Sequence, residues 1–313
     1  MNLVRTLRHG LKRGLEIAVV QSGIAHWTIR HPKRRRLILA YHNVVGDDDA
    51  PWGEKALHLK RSLFERHIDL LQDKGRIVPL RNLLKDVDCS EGGRPSVALT
   101  FDDAYQGAAE VIEAVLVPRG IPCTVFVNPG LLGTEAFWWD WLATGFGGTI
   151  PAALRRECLE EHRGEPERIQ KRFGEVGPVS LPPSSWRYSP PTPKTLERLQ
   201  HLDPLVKLGC HTWSHPNLNA LSRDEVRVEV ERSRTWLEGL GGLESGILAY
   251  PYGLATPQVR AEAECAGCEY GLLVEGGYLP EPPTTISRFA VPRLPVPAGL
   301  SVEGLMLRVA GIR

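Results

Sequence analysis

Three short segments of the chain concentrate residue types that can do chemistry together. The first, Thr100-Phe101-Asp102-Asp103, sets two adjacent carboxylates at the end of an apolar run. Side by side they repel, and burial would neutralise one of them unless a cation lies between or beside them. A solvated turn with an acidic N-cap for the next helix explains the pair equally well. The second, His211-Thr-Trp-Ser-His215-Pro216, carries two imidazoles four residues apart. From a helical turn or a compact loop, both can face one point, which is a metal-ligand spacing. The third, Ala249-Tyr250-Pro251-Tyr252-Gly253, flanks a proline with aromatics. Gly253 permits an unusual backbone angle, and such a turn can present a backbone N–H to a developing oxyanion. Taken together, one Asp and two His supply three ligands to a divalent ion and leave a position for water, as catalytic zinc sites do. The other Asp is then free to act as the base.

These segments need ordered elements to hold them. A strand pattern opens at Leu37–Asn43, and a helix follows with a Ser62-x-x-Glu65 capping box and apolar Leu63, Phe64, Ile68 and Leu71. Gly75 ends it, and a short strand is expected over Ile77–Leu80. Strands are also expected at Ser96–Phe101, Cys123–Val127, Val206–Cys210, Ile247–Tyr250 and Tyr270–Val274. Between them lie helical patterns at Ala108–Leu116, after a Ser222-x-x-Glu225 capping box, and at Val259–Ala266. Regular alternation of strand and helix predicts parallel β/α units. Each chemical segment falls at the C-terminal end of an expected strand, the face that carries the active site in β/α barrels.

One stretch breaks the rhythm. Residues 131–192 hold four of the eight tryptophans (Trp138, Trp139, Trp141 and Trp186) and end in a Pro-rich run. This is far longer than a usual βα loop. It reads as a partly helical insertion over one end of the barrel, with tryptophans that either stack on sugar faces or belong to the core.

The chain has 313 residues, a formal net charge of +1, 42% hydrophobic and 24% charged residues. That is ordinary globular composition and excludes a disordered, fibrous or polytopic membrane protein. The near-neutral balance argues against a nucleic-acid binder. Six scattered cysteines do not form the disulfide framework of a small secreted domain. Cys265 and Cys268 have metal or redox spacing, but a lone pair at the end of a helical pattern reads as ordinary buried thiols. Residues 1–36 form a basic helical segment that includes Arg5, Arg8, Lys12, Arg13, Arg30, Lys33, Arg34, Arg35 and Arg36. Its best apolar run, Ile17–Ala25, is interrupted by Gln21 and Ser22, unlike a signal peptide, and is too short to span a bilayer. A solvated helix is the simpler reading, and contact with anionic lipid is the functional one. The expected location is cytoplasmic, with peripheral contact at the inner membrane.

In this order, the segments TFDD, HTWSHP and YPYG resemble the polysaccharide deacetylase family, carbohydrate esterase family 4, also called the NodB-homology domain. The resemblance covers about residues 37–297, apart from the insertion. It implies a distorted (β/α)7 barrel with a long insertion, a catalytic domain over 37–313, and removal of acetyl groups from N-acetylated sugars with a divalent metal, commonly zinc. Carried over by motif, Asp102 would be the base, and Asp103, His211 and His215 the metal ligands. The turn of Tyr250, Pro251, Tyr252 and Gly253 would supply substrate contacts and an oxyanion N–H. Many members have an arginine before the Pro-aromatic motif and a late Leu-x-His. Here the first position reads Ile-Leu-Ala-Tyr, and no histidine follows His215. Tyr41-His42 resembles the Tyr-His of the exopolysaccharide branch, where the histidine serves as the acid. Val291-Pro-Arg293-Leu resembles that branch's terminal strand, so Arg293 would orient the base.

The expected partner is therefore an N-acetylated carbohydrate, with no nucleic acid. Two rival readings are a metal-dependent hydrolase of small amides or imides, since fold does not fix substrate, and a catalytically silent glycan-binding protein.

Overall fold

The computed structural model describes residues 14–22, 25, 28, 35–87, 94–176, 183–241, 244–279 and 287–312. Seven strands form a closed ring: β1 (Arg36–Tyr41), β5 (Ser96–Phe101), β6 (Cys123–Val127), β7 (Val206–Cys210), β8 (Glu244–Ala249), β9 (Tyr270–Gly276) and β11 (Val291–Pro295). Every neighbouring pair runs parallel, and β11 against β1 and β1 against β5 complete the barrel. This is the expected distorted (β/α)7 barrel.

The distortion has a visible cause. At the start of β1 the lateral partner is the antiparallel β10 (Tyr278–Leu279), whereas further along it is β11. The start of β5 likewise pairs with β4 (Arg76–Ile77) and its end with β6. The ring is therefore complete toward the C-terminal ends of β1 and β5 and splayed at their starts. A separate two-stranded parallel sheet joins β2 (Asn43–Val45) to β3 (His58–Lys60).

The strands read as near-continuous apolar runs because both faces are covered. Along β1 and β5 alternate residues divide between two cores. Leu37, Leu39, Tyr41, Val97, Leu99 and Phe101 join the large cluster shared with the surrounding helices. Ile38 and Ala98 join Phe126, Ile247, Ala249, Leu272 and Val291 in the second. Leu80, Leu83 and Leu84 of the short helix Leu80–Leu84 complete this second cluster. Two residues further along the same faces come Thr100 and Arg293, so an apolar interior gives way to a polar layer toward the C-terminal end.

Several local expectations are corrected. Helix Arg61–Lys74 begins one residue before Ser62, with Lys60 as N-cap, so Ser62 caps nothing. Its amide and hydroxyl instead donate to Asp47 at 3.2 and 2.6 Å, which satisfies the helix start from a neighbouring loop. Leu80 opens a helix after Pro79 rather than closing a strand. The element expected over Ala108–Leu116 is α-helical at Gln106–Val111 and widens to a π turn at Ile112–Leu116. The Ser222–Glu225 capping box is present with both reciprocal bonds. Of the C-x-x-C pair, Cys268 is buried but Cys265 is exposed.

Between β6 and β7, helices Trp138–Gly145, Ala152–Glu160 and Pro166–Phe173 occupy the irregular stretch. Trp138 and Trp139 are buried and belong to the core, while Trp186 is exposed under the Arg187 guanidinium. Much of the basic N-terminal segment lies outside the described residues. Arg36 belongs to β1 and is buried. Residues 14–21 are helical, and Glu16 accepts a bond from Ser301 at the start of the last helix, Val302–Ala310. Ala25 packs against Met306 and Ala310 of that helix. Among the described residues, no helix is long and apolar enough to cross a membrane.

Candidate metal centre and active site

The singled-out residues meet at one end of the barrel. His42 follows β1, Asp102 and Asp103 follow β5, His211 follows β7, and Tyr250 follows β8. The loops that carry them are conformationally costly. Asp103 (φ 67°), Ala104 (52°), Thr212 (67°), His215 (58°) and Tyr252 (58°) all sit in the left-handed region, at about 1–3 kcal/mol each for residues other than glycine. Local bonds hold them there. The Asp102 amide donates to Tyr41 O, and the His215 amide donates to Thr212 Oγ1. Glu229, on helix Arg223–Gly239, accepts from the amides of Trp213 and Ser214 and from the Ser214 hydroxyl. The His211–His215 pair thus rides on a compact loop rather than a helical turn.

Asp103, His211 and His215 are buried and converge, with one ligand atom from each lying within 4.8 Å of the others. Both Nε2 atoms approach the same Asp103 Oδ1, at 3.5 Å from His211 and 3.4 Å from His215. His211 Nδ1 donates to Ala249 O at 2.7 Å, so its Nε2 is a bare lone pair. Burial lowers the His211 pKa to about 4. Burial, and then the neighbouring His211, lower that of His215 well below the ordinary value. Both rings are therefore neutral, the metal-binding form. Burial, then Asp102 and Asp140, raise the Asp103 pKa well above the usual carboxylate range. Its Oδ1 makes no hydrogen bond. Acceptors aimed at one another in a buried place are unfavourable unless a cation lies among them. The donor set, two imidazoles and a carboxylate, fits a divalent metal.

Asp102 is set differently. Burial works to raise its pKa, but the charge of Arg293 overrides it and holds the carboxyl far below the usual range. Arg293 forms a bidentate pair with it, Nη1 to Oδ1 at 2.7 Å and Nη2 to Oδ2 at 2.8 Å. Arg293 is itself completely buried, with Nε donating to Leu273 O and Nη1 also to Thr100 Oγ1. Adjacent carboxylates are thus split into one ionised and clamped and one awaiting a cation. His42 is half-buried. Burial lowers its pKa, and the Asp102 charge partly opposes that shift.

In the aromatic turn, the Gly253 amide donates to Tyr250 O and the Leu254 amide to Pro251 O, and Pro251 has no N–H. That leaves the Tyr252 amide. The Tyr252 ring lies 4.6 Å from that of His215. Tyr250 instead points its hydroxyl at Phe289 O. Gly253 (φ 70°) is crowded by Val274, which an added Cβ would meet at 2.5 Å. Sequence reasoning did not find Glu229, nor Asn128, whose side-chain amide donates to His211 O at the end of β6. No local pattern marks either. It also did not find Asp140, although a carboxylate among three tryptophans in Trp138-Trp139-Asp140-Trp141 is itself a signal.

Residues 90–271, more than half of the chain, match the polysaccharide deacetylase family, and the chain belongs to that family. No curated protein gives a significant match. Among solved structures, the chain is similar to the Streptococcus pyogenes deacetylase PplD in complex with acetate, at 17% identity and a TM-score of 0.59 over 89% of this chain and 99% of that one. It is also similar to IcaB from Ammonifex degensii (18%, 0.58, 89% and 98%) and to a de-N-acetylase from Aggregatibacter actinomycetemcomitans (16%, 0.58, 88% and 99%). At these identities the likeness establishes the fold. Fold, family and buried Asp-His-His set together define a metal-dependent hydrolase of the deacetylase type.

Proposed function

We propose that the protein removes N-acetyl groups from an N-acetylated sugar, with zinc as the ion held by Asp103, His211 and His215. The observation that carries this reading is the convergence of those three buried ligand atoms beside an ionised, arginine-clamped Asp102. Bound there, the ion would supply Lewis acidity toward the acetyl carbonyl and an acidified water. Asp102 takes the proton from the attacking water, held at a fixed angle by Arg293. The Tyr252 N–H, left over by the turn's own hydrogen bonds, would donate to the developing oxyanion. His42, in its protonated form, would give that proton to the leaving amine, and its lowered pKa makes the imidazolium a ready donor.

Arg293 fills the role of the arginine missing from the earlier motif, which removes the motive for a catalytically silent glycan binder. Tyr41-His42 and Val291-Pro-Arg293 support assignment to the exopolysaccharide branch, with Tyr41 serving the core and His42 the reaction. The match to the polysaccharide deacetylase family supports a glycan substrate. We further propose a cytoplasmic protein that touches the inner membrane through its basic N-terminal segment. Within this segment, helix 14–21 is tied to the last helix by the Ser301 hydroxyl, which donates to Glu16. Acetate release from nucleotide sugars, lipid-linked sugars and chito-oligomers tests the function. Release from at least one N-acetylated sugar is expected, and release from none of them, with metal bound, would overturn it.

A further inference from the structure

The two metal-ligating histidines are not held alike. His211 is fixed by its Nδ1–H bond to Ala249 O. His215 Nδ1 has no hydrogen-bond partner in any other described residue, and the ring is buried. Its orientation rests on ring packing, with Trp139 at 4.7 Å and Tyr252 at 4.6 Å between centroids. A ligating histidine usually has a hydrogen-bonded outer partner that sets tautomer and angle. Here that duty passes to the aromatic rings, so whatever fixes the rings fixes the ligand.

Trp139 is fixed by a buried chain of hydrogen bonds. Its Nε1–H donates to the Tyr105 hydroxyl at 2.7 Å, and Tyr105 donates to Asp140 Oδ2 at 2.6 Å. Asp140 Oδ1 accepts from the Glu54 amide at 2.7 Å and from His58 Nε2 at 2.9 Å. The Asn43 side-chain amide donates to His58 Nδ1 at 3.1 Å, which places the imidazole proton on Nε2. Asp140 is 0% exposed. Gly53 leaves it room, since a Cβ there would lie 2.5 Å from Oδ1. The chain therefore joins three site segments: Asn43 beside His42, Tyr105 two residues after Asp103, and Trp139 against His215.

We propose that Asp140 is a positioning residue for the metal centre, acting on His215 through Tyr105 and Trp139. The insertion is on this view a working part of the active site. The inference rests on the hydrolase reading above. A buried, fully satisfied network specifies one arrangement and is costly when broken in part. Asp140→Asn replaces the acceptor of the Tyr105 hydroxyl with an N–H donor. Tyr105→Phe removes the same link while keeping the ring.

The test is metal affinity and spectroscopy, neither of which needs a substrate. Zinc affinity is measured by competition with a chromophoric chelator, and the ligand field by the visible bands of the cobalt(II) protein. Both variants, verified as folded by circular dichroism, should bind zinc about tenfold or more weakly, within the usual 10–100-fold effect of outer-shell changes, and show altered cobalt bands. Glu54→Gln is the structural control. It loses the ion pair with Arg155 but leaves the chain intact, so it should lower the thermal midpoint and keep wild-type affinity and bands. Wild-type affinity and bands in folded Asp140→Asn and Tyr105→Phe would overturn the proposal and leave the hydrolase reading standing. If Asp140→Asn does not fold, Tyr105→Phe decides alone. A wild-type protein that takes up no ion would overturn both.

Discussion

Replacing Asp102 by Asn probes both chemistry and stability, because Arg293 is buried against it. On sequence grounds the change removes only a proton acceptor, and fold and metal should survive. In the structure it also takes the counter-charge from a guanidinium with no exposure and disrupts charge-assisted bonds of 2.7 and 2.8 Å. Leaving one member of a buried ion pair costs about 3–5 kcal/mol. Arg293→Met should cost a similar amount, by stranding the carboxylate. The double variant strands no charge, so its loss should fall short of the summed single losses by about 2 kcal/mol or more, at the upper end of pairwise coupling. Urea unfolding of the four proteins at one fixed zinc concentration measures this, since bound metal adds to apparent stability. Turnover should fall about 10²–10⁴-fold in Asp102→Asn, and adding Arg293→Met should reduce it little further, because Arg293 acts through Asp102. Losses that add within about 0.5 kcal/mol, together with normal turnover in Arg293→Met, would refute the clamp.

Two further predictions concern histidines. His67 is buried, with Nε2 on Leu300 O, and burial lowers its pKa to about 4. The unfolded chain then binds more protons between about pH 6.5 and 4, so stability falls as pH drops through that window, by up to about 3 kcal/mol. His67→Gln should flatten that stretch of a stability–pH curve measured by urea unfolding, and an unchanged slope would assign the acid sensitivity elsewhere. His42→Ala should keep its metal and lose far more activity on an N-acetyl sugar than on an activated acetate ester, whose leaving group needs no proton. Equal losses on both would give His42 a structural role.

What was legible in the sequence was whatever the chain writes locally. Asp102, Asp103, His211, His215 and the Tyr252 turn lie in contiguous motifs, each at the end of an apolar strand, and barrel closure brings them together. Arg293 and His42 were reachable through motif resemblance, although the sequence could not show that Arg293 grips both oxygens of Asp102. The misreadings came from partners outside the local window. Ser62 carries a capping-box spacing, but Asp47 supplies the helix start from the preceding loop. Leu80 has strand-like neighbours, but Pro79 sets a helix start. The chain through Asn43, His58, Tyr105 and Asp140 joins residues 15 to 82 positions apart. Neither helical nor strand periodicity registers such separations. Trp138 and Trp139 could equally have been sugar platforms or core, and their burial makes them core.

Metal content is the most direct test of the central claim. The purified protein, stripped with chelator and reloaded with a divalent ion, is assayed by elemental analysis beside His211→Ala and His215→Ala. About one ion per chain is expected in the wild type, with clear loss in both variants, because each removes one of the three ligands that converge among the described residues. Full occupancy in both variants, or none in the wild type, would contradict it.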